Sequence, residues 1–463
     1  MISQPNGSQP ASRTSSPLPV AVIGGGPVGL AAAAHLVEAG LRPLLFEAGD
    51  RPGNAVREWA HVRLFSPWRY VVDPLVSRLL MAEGWTPPNP DALPTGGELV
   101  RDLLEPIATL PSLRPHLQFG TRVEAISRRG IDKVRNDGRE AIPFEVRTCE
   151  GTGATKRHLV RAVIDASGTW QTPNPAGVAG LPADGERAHR DRITYGLPDC
   201  TGTARGRYAG RTVLVVGSGH SAFQVVGDLS KLRTTEPATR IVWAIRRREP
   251  GTMFGGGTRD ALPARGRLGM RLRALVEEGA VDFVTGFRVH RIRESGDGRL
   301  RVTDLEGRVL GPIDEIVAAT GFRPDHSILR ELRVEVDPVL EAPVRLAPMI
   351  DPNLHSCGTV PPHNFEVLAH PEPDLYVVGM KSYGRAPTFL LMTGYEQVRS
   401  VVQALAGNLD AARRVALTLP ETGVCSTDAS HAEAFSRGGL PVAPARGTGS
   451  PTPAPPSPPA CCG

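Results

Sequence analysis

Four apolar residues, Val20–Ile23, run straight into Gly24, Gly25, Gly26, Pro27 and Gly29, and an alanine-rich stretch, Leu30–Val37, follows. The stretch is long enough for a membrane span, but glycines clustered behind a short apolar run instead predict strand, tight loop and helix. The next apolar run, Pro43–Phe46, reads as a second strand and ends on Glu47. The same order returns farther on: Thr212–Val216, a glycine loop, a helical pattern, then the strand-like Arg240–Ile245. A late run, Leu375–Val378, reads as a strand, and Tyr395–Leu405 as an amphipathic helix. Strands alternating with helices predict α/β architecture and parallel sheets.

Five segments are expected. Residues 1–17 form a disordered leader, 18–206 the first part of one domain, 207–325 a second domain inserted into it, 326–437 the remainder of the first, and 438–463 a disordered tail. The tail is rich in Pro, Ala, Gly and Ser, and it carries too few large apolar groups to offset chain entropy.

Gly24, Gly26 and Gly29 fill a G-x-G-x-x-G pattern directly after a strand. The first glycine allows the turn, the second lets a pyrophosphate approach the backbone, and the third lets helix and strand pack closely. Glu47, 23 residues after Gly24, stands where a carboxylate accepts ribose hydroxyls. Gly217, Gly219 and Ala222 give a second pattern, G-x-G-x-x-A, whose following strand ends in Arg246, Arg247 and Arg248 instead of an acid. Guanidinium groups there suit a ribose 2′-phosphate, and the alternative is a solvated basic strand end. The two patterns predict α/β structure with two Rossmann-like dinucleotide-binding domains, FAD in the first and NADPH in the second. Such a protein passes hydride from nicotinamide to flavin.

Composition narrows the classes. The net charge is +5, and the basic residues are 49 Arg and 4 Lys, scattered without long tracts, which argues against nucleic-acid binding. No positive leader followed by an apolar core opens the sequence, and no other candidate span appears, so a cytoplasmic protein without membrane partners is expected. Six cysteines in 463 residues do not make a disulfide framework.

With two later motifs, the chain resembles the flavin-containing monooxygenases and their Baeyer–Villiger relatives. AVIDASGTWQTPNP, with Gly168 and Trp170, resembles the family's A-T-G-x-W segment, and EIVAATGFRPD, with Ala319, Thr320, Gly321 and Phe322, its A-T-G-Y/F-x-P segment. LYVVGM resembles the strand before the flavin-ring helix, which implies that Gly379 lies near the isoalloxazine. The fingerprint F-x-G-x-x-x-H survives as Gly185 and His189, with Ala183 in place of Phe and Tyr195 displaced by two residues. The sister group, the pyridine-nucleotide disulfide oxidoreductases, carries C-x4-C or C-x-x-C redox pairs, and neither stands at the corresponding places here.

The resemblance implies NADPH and O2 as co-substrates, a homodimer, and oxygenation of a small soft nucleophile (sulfur, nitrogen or trivalent arsenic) through a flavin hydroperoxide. His189, Arg63 and Tyr383 are the candidate catalytic side chains, the last two on aromatic and arginine-bearing loops expected beside the flavin. Each also has a bland reading, as interdomain hydrogen-bonder or packing residue. The terminal Cys461-Cys462-Gly463 resembles the vicinal pair of mercuric reductases, and with Cys425 it offers thiolates to thiophilic ions. It implies the group found in arsenic-resistance clusters. Two rivals stand: an NADPH-dependent reductase of a thiol-bound metal(loid), and a flavin-bearing sensor or metal-binding partner with no activity.

Overall fold

A computed structural model of the chain describes residues 18–417 apart from 152, 251–252, 256, 258–262, 355–360 and 387–388. Cys425, Cys461 and Cys462, the leader 1–17 and the tail 438–463 lie outside the described residues.

The strands, in chain order, are β1 (Val20–Ile23), β2 (Pro43–Phe46), β3 (Leu117–Gln118), β4 (Thr121–Arg128), β5 (Phe144–Glu150), β6 (Thr155–Val160), β7 (Ala162–Asp165) and β8 (Ile193–Tyr195). Then come β9 (Thr212–Val216), β10 (Arg240–Ala244), β11 (Asp282–Val284), β12 (Val289–Glu294), β13 (Leu300–Asp304), β14 (Val309–Ile313), β15 (Glu315–Ala318) and β16 (Leu375–Val377). One parallel sheet has the order β16-β7-β1-β2-β3, a second β11-β10-β9-β15-β8, and two antiparallel sheets, β4-β5-β6 and β12-β13-β14, accompany them. The two parallel sheets are the Rossmann-like units expected from the glycine patterns. The second is inserted, because the chain leaves the first sheet after β7 and returns to it only with β16. β8, N-terminal to the expected boundary at 206, pairs with β15 in the second sheet.

Local sequence explains the central layer. β1 is buried at every position, as expected of a parallel strand covered on both faces. Pro27 starts the helix Pro27–Glu38, where its missing N–H costs nothing. Ala31–Ala34 are at most 1% exposed, and these small side chains bring the helix close to the sheet. The helix Leu391–Leu405 packs against it.

The two crossings between the sheets pair with each other. Asn174 N donates to Gly321 O at 2.9 Å and Arg323 N to Thr172 O at 3.0 Å, and Trp170 stacks on Phe322 at 4.6 Å. Among the described residues no helix is long and apolar enough to cross a membrane.

Candidate functional site

The three glycines of the first loop answer three different steric demands. Gly24 has φ +102°, and a Cβ there would lie 2.8 Å from Ala166 O and 2.9 Å from Ser167 Cα. Gly29 would place a Cβ 1.9 Å from Gly24 O, so any side chain would push the helix off the strand. Gly26 would meet nothing within 4 Å. The protein leaves that space open, as the approach of a pyrophosphate requires. Gly26 also caps the helix without a side-chain acceptor, which leaves first-turn N–H groups for an anion. The Glu47 carboxylate curls onto this loop, accepting from Gly25 N at 2.6 Å and Gly49 N at 2.7 Å. Each oxygen keeps lone-pair capacity for a ribose hydroxyl.

The second loop repeats the scheme. Gly217 has φ +140° and would place a Cβ 2.3 Å from Ala319 O, whereas Gly219 faces open space. Ala222 is fully buried under the loop. Trp243 Nε1, on β10, donates to Gly217 O at 2.8 Å. This fully buried indole pins the turn, and the spacing of the glycines gave no sign of it. Gly217 N donates to Ala244 O at 3.2 Å, which sets the end of β10 beside the loop. Just beyond, Arg246, Arg247 and Arg248 are exposed, and their side chains have no hydrogen bond or ion pair among the described residues. The donor sets fit two dinucleotides: a carboxylate for bare ribose hydroxyls in the first cradle, free guanidinium groups in the second.

A polar network holds the segment after β16. Gly379 turns the chain at φ +69° and lies against Val28, with a built Cβ 3.3 Å from that side chain. Its N–H donates to Gln397 Oε1 at 2.8 Å. A backbone N–H only donates, so the Gln397 amide orientation is fixed and its Nε2 faces Ser382 Oγ and His363 Nε2, both at 2.9 Å. His363 is therefore neutral, with its proton on Nδ1 toward Pro361 O at 3.3 Å. Burial lowers its pKa in keeping with this. Gln397 was readable only as a polar residue inside an apolar helical face. Gly168 has φ +72° and open space around it.

The three candidate catalytic side chains are not brought together; no hydrogen bond, ion pair or ring contact joins any two of them. His189 is half-buried beside Gly185, whose φ is +83° and whose Cβ would strike Ile292 O at 2.1 Å. Here the fingerprint glycine serves packing against β12. Arg63 donates to Leu93 O and lies 3.8 Å from Glu98 Oε2. Tyr383 is 2% exposed, edge-on to Phe389 at 5.3 Å, and burial drives its pKa far up.

The loop carrying Arg63 does reach the second unit. Trp59 meets Trp170 at 6.5 Å, Phe65 meets His220 edge-on at 5.3 Å, and Glu58 Oε2 accepts from Trp170 Nε1 at 2.7 Å. The described cysteines, Cys149 and Cys200, are both free thiols, and burial pushes the Cys200 thiol far up.

Comparison with known proteins agrees with this geometry. Ferredoxin–NADP reductase 1 of Cupriavidus necator is 29% identical over 308 residues, 65% of this chain and 70% of its own. An FAD-binding monooxygenase of Aspergillus calidoustus is 31% identical over 239 residues, 49% of this chain, and the match spans only 35% of that longer protein. The structure of a bacillithiol disulfide reductase from Bacillus cereus superimposes with a TM-score of 0.62 at 21% identity, covering 85% of this chain and 99% of its own. The resemblance to monooxygenases thus holds at the level of a wider group that includes reductases. Two glycine cradles on two parallel sheets, the second inserted into the first, are the framework of FAD- and NAD(P)H-dependent oxidoreductases. The model of the pyridine nucleotide-disulphide oxidoreductases matches residues 18–344, and the chain belongs to that family.

Proposed function

We propose that this chain is an NADPH-dependent FAD monooxygenase that oxygenates a small, soft nucleophile such as sulfur, nitrogen or trivalent arsenic. One observation carries the reading: two open glycine cradles in one chain, the first ending on a carboxylate and the second on three arginines unpaired among the described residues. FAD, when bound, would supply the redox chemistry between the nicotinamide and the acceptor. In this reading Glu47 accepts the ribose hydroxyls of FAD, and the open faces of Gly26 and Gly219 admit the two pyrophosphates. Arg246 and Arg247 bind the 2′-phosphate of NADPH. The ring contacts Trp59–Trp170, Trp170–Phe322 and Phe65–His220 would serve in this reading to limit water at the crossing of the two sheets, which suppresses wasteful side reactions.

Thiol–disulfide exchange has less support. No cysteine occurs before Cys149, so none lies on the first glycine loop or the helix after it. Cys425, Cys461 and Cys462 would serve in substrate capture, holding a thiophilic ion, and their removal should weaken arsenite binding without abolishing NADPH oxidation. A second reading, transfer of electrons to an external carrier, draws on the longer match to the ferredoxin–NADP reductase. Stoichiometry separates the two. Oxygenation consumes one O2 per NADPH with oxygen recovered in the product, whereas carrier reduction proceeds anaerobically with a one-electron acceptor.

A further inference from the structure

The floor of the first glycine loop and the segment after β16 are joined by a buried ion pair that the proposed chemistry does not use. Lys381 Nζ donates to Asp165 Oδ2 at 2.6 Å and to Ser167 Oγ at 3.0 Å. The remaining carboxylate oxygen, Asp165 Oδ1, accepts from Ser167 Oγ at 2.7 Å and Ser167 N at 3.1 Å. The Lys381 and Asp165 side chains are 1% and 0% exposed.

Position gives the pair its meaning. Asp165 ends β7 in register with Ile23, the last residue before Gly24. The next two residues, Ala166 and Ser167, are those a Cβ on Gly24 would strike. Lys381 comes two residues after Gly379, which packs on Val28 in the first turn of the loop's helix. The pair therefore bolts segment 379–383 to the backbone that shapes the loop, at the carboxyl ends of parallel strands where such sheets bind ligands. A buried ion pair is a poor source of net stability, since desolvation consumes most of the attraction, but it enforces one arrangement over its competitors.

We infer that Lys381 and Asp165 are a positioning pair for FAD, holding segment 379–383 in the one register against the first loop that seats the flavin. The inference rests on the proposed reading of the first cradle as the FAD site. The test uses full-length protein stripped of FAD and titrated with it, together with the flavin midpoint potential and the NADP+ affinity. Lys381→Met should weaken FAD binding by about tenfold or more and displace the potential, with NADP+ affinity within about twofold of wild type. Should the lone Asp165 charge prevent folding, Asp165→Asn/Lys381→Met removes both charges. That variant should fold and still show about tenfold weaker FAD binding and the displaced potential. A lysine that only stabilised the fold would lower the apoprotein's unfolding temperature and leave both flavin readouts unmoved. Wild-type protein that takes up no FAD would overturn the cofactor reading itself. Wild type that binds FAD, beside a folded double variant of equal affinity and potential, overturns the positioning role alone.

Discussion

Replacing Arg246 and Arg247 together by alanine should convert an NADPH enzyme into one that uses both nicotinamides poorly and about equally. The magnitude follows from the environment of the two side chains. Both are exposed and neither is committed to a carboxylate among the described residues, so their charge is available and partly screened by water. A unit charge 4 Å from another is worth about 1 kcal/mol at the dielectric of water, and a 2′-phosphate carries roughly one and a half to two charges. Each arginine then contributes about 1–2 kcal/mol, and the pair about 2–4 kcal/mol. Since 1.4 kcal/mol is tenfold, kcat/KM for NADPH should fall roughly 30- to 700-fold. NADH has no 2′-phosphate, and its kcat/KM should stay within about twofold.

Steady-state kinetics with both nucleotides at several ionic strengths is the assay. Salt adds a second signature, because the Debye length shrinks from about 30 Å at 0.01 M to about 8 Å at 0.15 M. The wild-type preference for NADPH should erode across that range, whereas the variant's ratio should stay flat. Exposed arginines without partners are not stability determinants, and the variant should unfold within about 0.5 kcal/mol of wild type. A double variant that kept its NADPH-to-NADH ratio would refute the assignment and leave the arginines as a solvated strand end.

Three further outcomes follow from the geometry. Gly26→Ala should fold normally and lose FAD, because its Cβ points into open space, whereas Gly29→Ala should also lower the unfolding temperature, because its Cβ would meet Gly24 O at 1.9 Å; flavin absorbance and thermal melts of both variants check this. Burial pulls His370 down to about 4, and burial likewise lowers His326 and His363. These histidines stay neutral in the fold while the unfolded chain takes up protons near 6.5, so stability is complete above that pH and is lost as pH falls toward the folded values. His370 alone should remove about 2 kcal/mol by pH 5, and urea melts of His370→Leu should show that much less pH dependence. Finally, Glu372 is fully buried between Arg128 at 2.8 Å and Arg139 at 2.6 Å, so Arg128→Met should destabilise by about 3 kcal/mol, read as an earlier denaturation midpoint.

The glycine loops were legible because Gly24, Gly29 and Gly217 stand where a Cβ would strike the backbone, and small residues at that fixed spacing after a strand leave few other structures. The side chains around them were not legible in the same way. Arg63 and Tyr383 were candidates because charge and aromaticity stood on loops near the flavin, but composition does not say where a side chain points. Arg63 is fastened to the Leu93 carbonyl, and Tyr383 is core. The polar residues that tie the proposed site together pair across long separations: Gln397 lies 18 residues from Gly379 and 34 from His363, and Lys381 lies 216 from Asp165. No local pattern reports such a pairing. Each of these residues nevertheless left one trace, a polar group where the hydrophobic period calls for an apolar one: Asp165 ends an otherwise apolar strand, and Gln397 interrupts a buried helical face. Burial without a partner costs more than one hydrogen bond returns, so a polar residue at a core position implies a partner even when the sequence does not name it. Here the implied partners lie at the carboxyl edge of the first sheet, beside the proposed FAD site.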